Sequence, residues 1–241
     1  MPTTASWLAG STIAVAGAEY PLGRAVASSF ASRRVNLALA GVDGCALGST
    51  ADEVARIRAL HQHEEMPLLV EADVATPEGV TSLKQASLAS FGPLDAVVHV
   101  AEVGDVAMLL AATSTMLAVA GQDLVSRGGS LVLAVLAGPW RGADRTHQRT
   151  EVLDRLRTLV YDAARRWPQR VAVNGVVVQA PPPVRPLGYQ GYTGLGRPAT
   201  AVPQTGTYDE AARIVRFLAS REAQALTGQT LTVGGALAEA A

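Results

Sequence analysis

Short runs of aliphatic and β-branched residues recur along the chain, and a longer stretch with helical spacing separates each from the next. The runs are STIAVAG (11–17), VNLALAG (35–41), PLLVEADV (67–74), LDAVVHVA (94–101), GGSLVLAVLAG (128–138), QRVAVNGVVV (169–178) and GQTLTVGG (228–235). Helical patterns lie at 21–33, 50–63, 77–92, around 108–127, 149–167 and 208–222. Pro21 suits the first turn of the first helix, and Thr50 with Glu53 three residues on has the spacing of a capping box for the second. On the fifth, Val152, Leu153, Leu156, Leu159, Val160, Ala163 and Trp167 make one apolar stripe. Strands that are apolar throughout, rather than alternately, belong to a parallel sheet covered by helices on both faces. The expected class is α/β, a doubly wound parallel sheet of about seven strands.

At 241 residues the chain reads as a single domain over 1–241, with one Pro/Gly-rich loop at 179–207 that interrupts the domain without dividing it. Hydrophobic residues make up 49% and charged residues 17%, against roughly 25% charged in ordinary soluble domains. So little charge leaves room for a buried subunit interface. A net charge of −1 gives no attraction for nucleic acid or an anionic membrane. Cys45 is the only cysteine, which excludes an internal disulfide and a cysteine-based zinc site and fits a reducing compartment. The first residues lack a basic stretch before their apolar run, and no apolar run reaches membrane-spanning length. The expected location is the cytoplasm.

Four segments carry a family resemblance: EADVATPEG (71–79), LDAVVHVAE (94–102), RVAVNGVVV (170–178) and DEAARIVRFLASREAQALTGQTLTVGG (209–235). In this order and spacing the chain resembles the short-chain dehydrogenase/reductase family over nearly its whole length. The resemblance implies a Rossmann-like sheet, a nicotinamide cofactor across the strand ends, and a substrate lid where 179–207 lies.

The cofactor positions depart from that pattern. The family's first turn reads Thr-Gly-x-x-x-Gly-x-Gly, and its glycines let backbone approach a pyrophosphate at a helix N-terminus. Here the turn runs from Ala16 and Gly17 through Pro21 to Gly23, with Glu19 adding a negative charge. Gly17 and Gly23 serve equally as a tight turn and a close helix–strand contact. Gly41 stands where NAD-preferring relatives carry an acid for the ribose hydroxyls, and Asp43 comes two residues late. The family's Asn-Asn-Ala-Gly becomes His99-Val100-Ala101-Glu102. Asp73 and Val74, which in relatives face the adenine, are intact, though an aspartate there also suits a turn. Gly17, Gly23, Asp73 and Val74 are thus the remaining cofactor-binding candidates. The expectation is no cofactor, with weak NAD or NADP binding as the alternative.

The resemblance also implies a tyrosine acid/base, a lysine four residues later, a serine and an asparagine. The only lysine is Lys84, before the fourth strand. None of Tyr20, Tyr161, Tyr189, Tyr192 and Tyr208 falls at the start of the long helix, and the serine position falls at Val135 or Leu136. The asparagines, Asn36 and Asn174, are elsewhere. Between Glu102 and Leu131 the chain is also short for the family, and the loss is expected in the helix after the fourth strand. Other chemistry has candidates: His147 with Glu151 on one helix face, and His99 with Glu102 at a strand end. Each pair also reads as ordinary structure, a solvated pair and a hydrogen-bonded strand-end histidine. His61 and His63 suggest a metal less well than solvated surface, and no metal is expected. Tyr189 and Tyr192 either line a pocket or pack the lid.

These observations favour a catalytically inactive family member acting as a structural or regulatory subunit. Its expected partner is itself or an active paralogue, as in certain heteromeric acyl-CoA alcohol dehydrogenases, met through the 149–167 helix and the 228–235 strand. The alternatives are an atypical NAD(P)-dependent oxidoreductase, a lyase or isomerase with relocated acid/base residues, and a ligand sensor.

Overall fold

The computed structural model describes residues 8–63, 65–102, 106–137, 145–167, 170–179 and 205–234. The apolar runs form the strands of one parallel sheet: β1 Thr12–Ala16, β2 Asn36–Gly41, β3 Leu68–Glu71, β4 Ala96–Glu102, β5 Gly129–Ala137, β6 Val171–Gln179 and β7 Thr230–Val233. Their order is β3-β2-β1-β4-β5-β6-β7. The connection reverses direction between β1 and β4, and the crevice beyond the strand C-termini at such a switch point is where open α/β sheets bind ligands. The lid expected at 179–207 lies almost wholly outside the described residues.

Alternate residues of each central strand feed two cores. Ile13, Val15, Leu37, Val98 and Val132 pack under α1 (Pro21–Ala31), α2 (Gly44–Leu60) and α6 (Thr205–Leu218). Ala14, Ala38, Val97, Leu131 and Val173 pack under α3 (Pro77–Phe91), α4 (Val106–Arg127) and α5 (Arg145–Arg166). The small second-face residues of β1 and β2, Ala14, Ala16, Ala38 and Ala40, lie on the side that α3 covers. The cover ends at the sheet's edge: β3 alternates in exposure, and Leu69 is 45% exposed.

Three expectations are corrected. The second helix does not begin at Thr50. It begins at Gly44, because Asp43 caps it, its carboxylate accepting from the Ala46 N–H at 3.0 Å. Thr50 is instead a buried interior residue whose hydroxyl donates to the Ala18 carbonyl at 3.0 Å, and Glu53 accepts from Ser28 on α1. The helix after β4 is not lost either, since α4 spans 22 residues and only three positions separate it from Glu102. Finally, the long helix starts at Arg145, four residues before the apolar stripe suggests.

Candidate functional site

The switch-point crevice is bounded by the turn after β1. Gly17 has φ +82°, and a side chain there would run into the Val100 carbonyl of β4. A side chain at Gly23 would run into the Gly17 carbonyl, so α1 lies hard against the turn. Both glycines are demanded by packing, with or without a ligand. Pro21 occupies the first turn of α1 and contributes no N–H there.

Glu19 is not spread along this turn. Its side chain folds onto the end of β2, where Oε1 accepts from the Val42 N–H at 3.2 Å. A methyl at Gly41 would overlap the whole carboxylate group, so the carboxylate fills the space of the missing strand-end side chain. Oε2 is buried and has no hydrogen-bond partner. The acid that stands at the end of β2 is thus carried by residue 19 of the preceding loop and not by residue 41. Glycine at a family acid position, with a new acid in the preceding loop, was the signal in the sequence that could have revealed this pairing.

Asp73 closes the β3–α3 turn: its carboxylate accepts from the Ala75 N–H at 2.9 Å, and its carbonyl from the Thr76 N–H at 3.0 Å. A side chain at Gly79 would overlap that carbonyl, which fixes the tight entry to α3. Val74 beside it is half-buried against the second core. Glu71 lies over Gly44 at the start of α2.

The groups named for other chemistry are not brought together. His99 is 3% exposed within β4, and neither ring nitrogen has a partner. It is thus neither at the strand's end nor hydrogen-bonded. Burial lowers its pKa from 6.5 to about 4, so it is neutral near pH 7. The side chains of Glu102 and His147 lie outside the described residues, as do Tyr189 and Tyr192. Glu151 is paired with Arg155 one turn on, at 2.6 Å. His61 and His63 have ring centroids 6.3 Å apart, and no group of three ligating side chains occurs among the described residues.

Val135 and Leu136, at the serine's place, are buried β5 residues. Lys84 projects from α3 toward α4, where Nζ donates to the Val119 carbonyl at 3.0 Å. Asn174 is buried in β6, its amide donating to the Leu226 carbonyl and accepting from the Gln229 N–H, which secures the approach to β7. Sequence reasoning had no role for it.

A nicotinamide dinucleotide, which would bring a hydride to this crevice, meets two different halves. On the adenosine side, the turn keeps Gly17 and Gly23 and the Glu19 carboxylate stands on Gly41, while Pro21 offers no N–H in the first turn of α1. On the nicotinamide side, no lysine or serine side chain of the family's kind stands among the described residues.

A family model described as "Enoyl-(Acyl carrier protein) reductase" matches residues 17–237. Among curated proteins none matches. Among solved structures, a short-chain type dehydrogenase/reductase from Mycobacterium marinum is 18% identical, with 97% of each chain covered and a TM-score of 0.72. Carveol dehydrogenase from Mycobacterium avium in complex with NAD is 20% identical over 93% of this chain and 96% of that one, with a TM-score of 0.70. Hydroxysteroid dehydrogenase from Escherichia coli is 16% identical over 95% and 97%, also at 0.70.

Proposed function

The chain belongs to the short-chain dehydrogenase/reductase family, and from that premise we propose that it is a non-catalytic member serving as a structural or regulatory subunit. The observation that carries this reading is the use made of the sole lysine. Lys84 ties α3 to α4, and apolar Val135 and Leu136 fill the end of β5. A tyrosine acid/base needs a neighbouring cation to ionise near neutral pH and a hydroxyl to hold the substrate oxygen. Among the described residues at these positions, neither role has a residue to fill it.

What this subunit keeps is an edge. β7 closes one side of the sheet with Leu231 exposed, and Tyr161 of α5 stands 54% exposed nearby, across Gly228. Arg165 lies over the Tyr161 ring at 5.7 Å, placing an aromatic–cationic surface beside a strand edge that no described strand pairs. Such a surface suits an isologous or pseudo-twofold contact with a second copy or with an active paralogue. The acyl-CoA alcohol dehydrogenase arrangement, an inactive chain beside an active one, is the form proposed. A relocated acid/base pair has less support, because His99 is buried and Glu151 is held by Arg155.

The test is purification of the tagged chain from its native cell, followed by mass spectrometry and light scattering. A stoichiometric reductase of this family, or a stable homo-oligomer without turnover, is the expected result. A monomer at every concentration with no accompanying reductase would overturn the reading.

A further inference from the structure

The geometry points to a zinc site shared between two copies of this chain: His61 and His63, at the turn that joins α2 to β3, supply two imidazoles from each copy to one ion. The site lies at the β3 edge of the sheet, opposite β7, and involves neither the crevice nor the contact proposed above.

Three observations carry it. The first is the pairing of two imidazoles. α2 ends at Leu60, and Gln62 just beyond has φ +58°, the one non-glycine residue with a positive φ among the described residues. The His63 N–H donates to the Arg58 carbonyl at 3.0 Å and the Gln62 N–H to that of Ala59 at 3.2 Å, so the chain curls back on the helix end. The two rings then stand with centroids 6.3 Å apart. Two imidazoles on one tetrahedral zinc have centroids about 5 Å apart, so a closing movement of about 1 Å suffices. Arg58 is turned inward to the Val35 and Glu65 carbonyls, which leaves the outer face of the turn to the histidines and the exposed Glu65. The second observation is an unmet group. Nδ1 of His63 is buried without a hydrogen-bond partner. A desolvated ring nitrogen is costly to leave unpaired, and a ring rotation that turns it onto an ion relieves that cost. The third is the ligand count and its apolar border. No group of three ligating side chains occurs among the described residues, whereas a structural zinc takes four. A twofold axis through the ion supplies the other two imidazoles from a second copy. Leu60, 83% exposed, and Met66, 61% exposed, bracket the pair in the chain, and the same axis sets those of each copy against the other. The outer edge of β3, with Leu69 exposed on it, has no described strand beside it and leaves that approach open.

The test uses the purified full-length chain, free of any affinity tag, titrated calorimetrically with zinc chloride and followed by light scattering with and without EDTA. One zinc per two chains is expected, with a gain in mass that EDTA reverses. An assembly already joined at β7 would be strung into longer chains by this contact, so the mass is also read in Leu231→Glu, where a clean doubling is expected. His61→Gln changes an exposed side chain, so it should leave the melting temperature in EDTA unchanged. It should nonetheless weaken zinc roughly tenfold or more and abolish the gain in mass. Leu60→Glu with Met66→Glu keeps both imidazoles and should leave only weaker binding, at one zinc per chain. Cys45→Ser removes an exposed thiol that could also take zinc, and should change nothing. Any one of three results overturns the proposal: no zinc binding at submillimolar concentration, one zinc per chain in the wild type with no gain in mass, or a gain in mass that persists in His61→Gln. Because the doubling is read with the β7 contact disabled, this site and the proposed subunit contact fail separately.

Discussion

His99 is held neutral in the middle of β4 with its pKa lowered to about 4 by burial. The unfolded chain takes up a proton near 6.5, while the folded one declines it until about 4. The unfolded state therefore binds more protons between these values, and stability falls as pH drops through that window. The loss is about 2 kcal/mol by pH 5 and about 3 kcal/mol below pH 4. Replacing His99 by Leu should flatten this part of the profile, leaving wild type and variant most different at acid pH; urea titrations at pH 7.5 and pH 5 check it. Gly17 makes a second prediction. With φ +82° and the Val100 carbonyl against its α-carbon, Gly17→Ala should cost about 1–3 kcal/mol in denaturant unfolding. The two residues differ in how far the sequence disclosed them. A glycine closing an apolar strand and opening a helix signals a tight turn by local chemistry alone. The apolar residues on both sides of His99 announce a strand covered on both faces, but not that its ring nitrogens are left without partners. The Glu19–Gly41 contact was hidden too: 22 residues separate two departures that only the β1–β2 pairing brings together.

At the scale of elements, strands were readable to within two or three residues at each end, and the start of the second helix was not. The segment GCALGST, with two glycines, looks like a loop when propensity is summed along it. Leu47, Ala51 and Val54 nonetheless bury one helical face in the core, and that packing carries the helix back to its Asp43 cap. Asp43→Ala should thus cost about 1 kcal/mol, the usual worth of an N-cap, whereas Thr50→Val should lose only the hydroxyl's donation to the Ala18 and Ala46 carbonyls. A capping box at Thr50 would reverse that ranking in denaturation experiments. Asn174 controls a different element. It is fully buried, and its two bonds span from Leu226 to Gln229, so Asn174→Ala leaves backbone groups unpaired just before β7. A cost of about 2–3 kcal/mol is expected. Amide exchange should quicken first at 229–233, while β1 and β4 keep their protection.

For the whole molecule, the parallel sheet could be foreseen because continuous apolar strands need helices on both faces. Leu69 on β3 shows the limit, for an edge strand is covered only on one side. At the opposite edge, Leu231→Glu should dissociate an oligomer built on β7 with little change in monomer melting, as exposed positions usually tolerate substitution within about 0.5 kcal/mol. A stable contact there would remove about 800 Å² from each partner, which light scattering and small-angle scattering can size.

The strand order also has a consequence during synthesis. β1 sits between β2 and β4, and its first residue, Thr12, is secured by Asp95, 83 residues further along. While the ribosome adds those residues, at roughly 5–20 each second, one margin of Thr12–Ala16 waits unpaired for roughly 4–17 seconds. Every residue of that strand is buried in the finished protein, so the nascent chain carries an adhesive ribbon until β4 arrives. Fragments halted before Ala96 should aggregate or be held by chaperones, and those extended past Glu102 should escape both, so the sheet's central gap sets a point in translation before which the protein cannot be left alone.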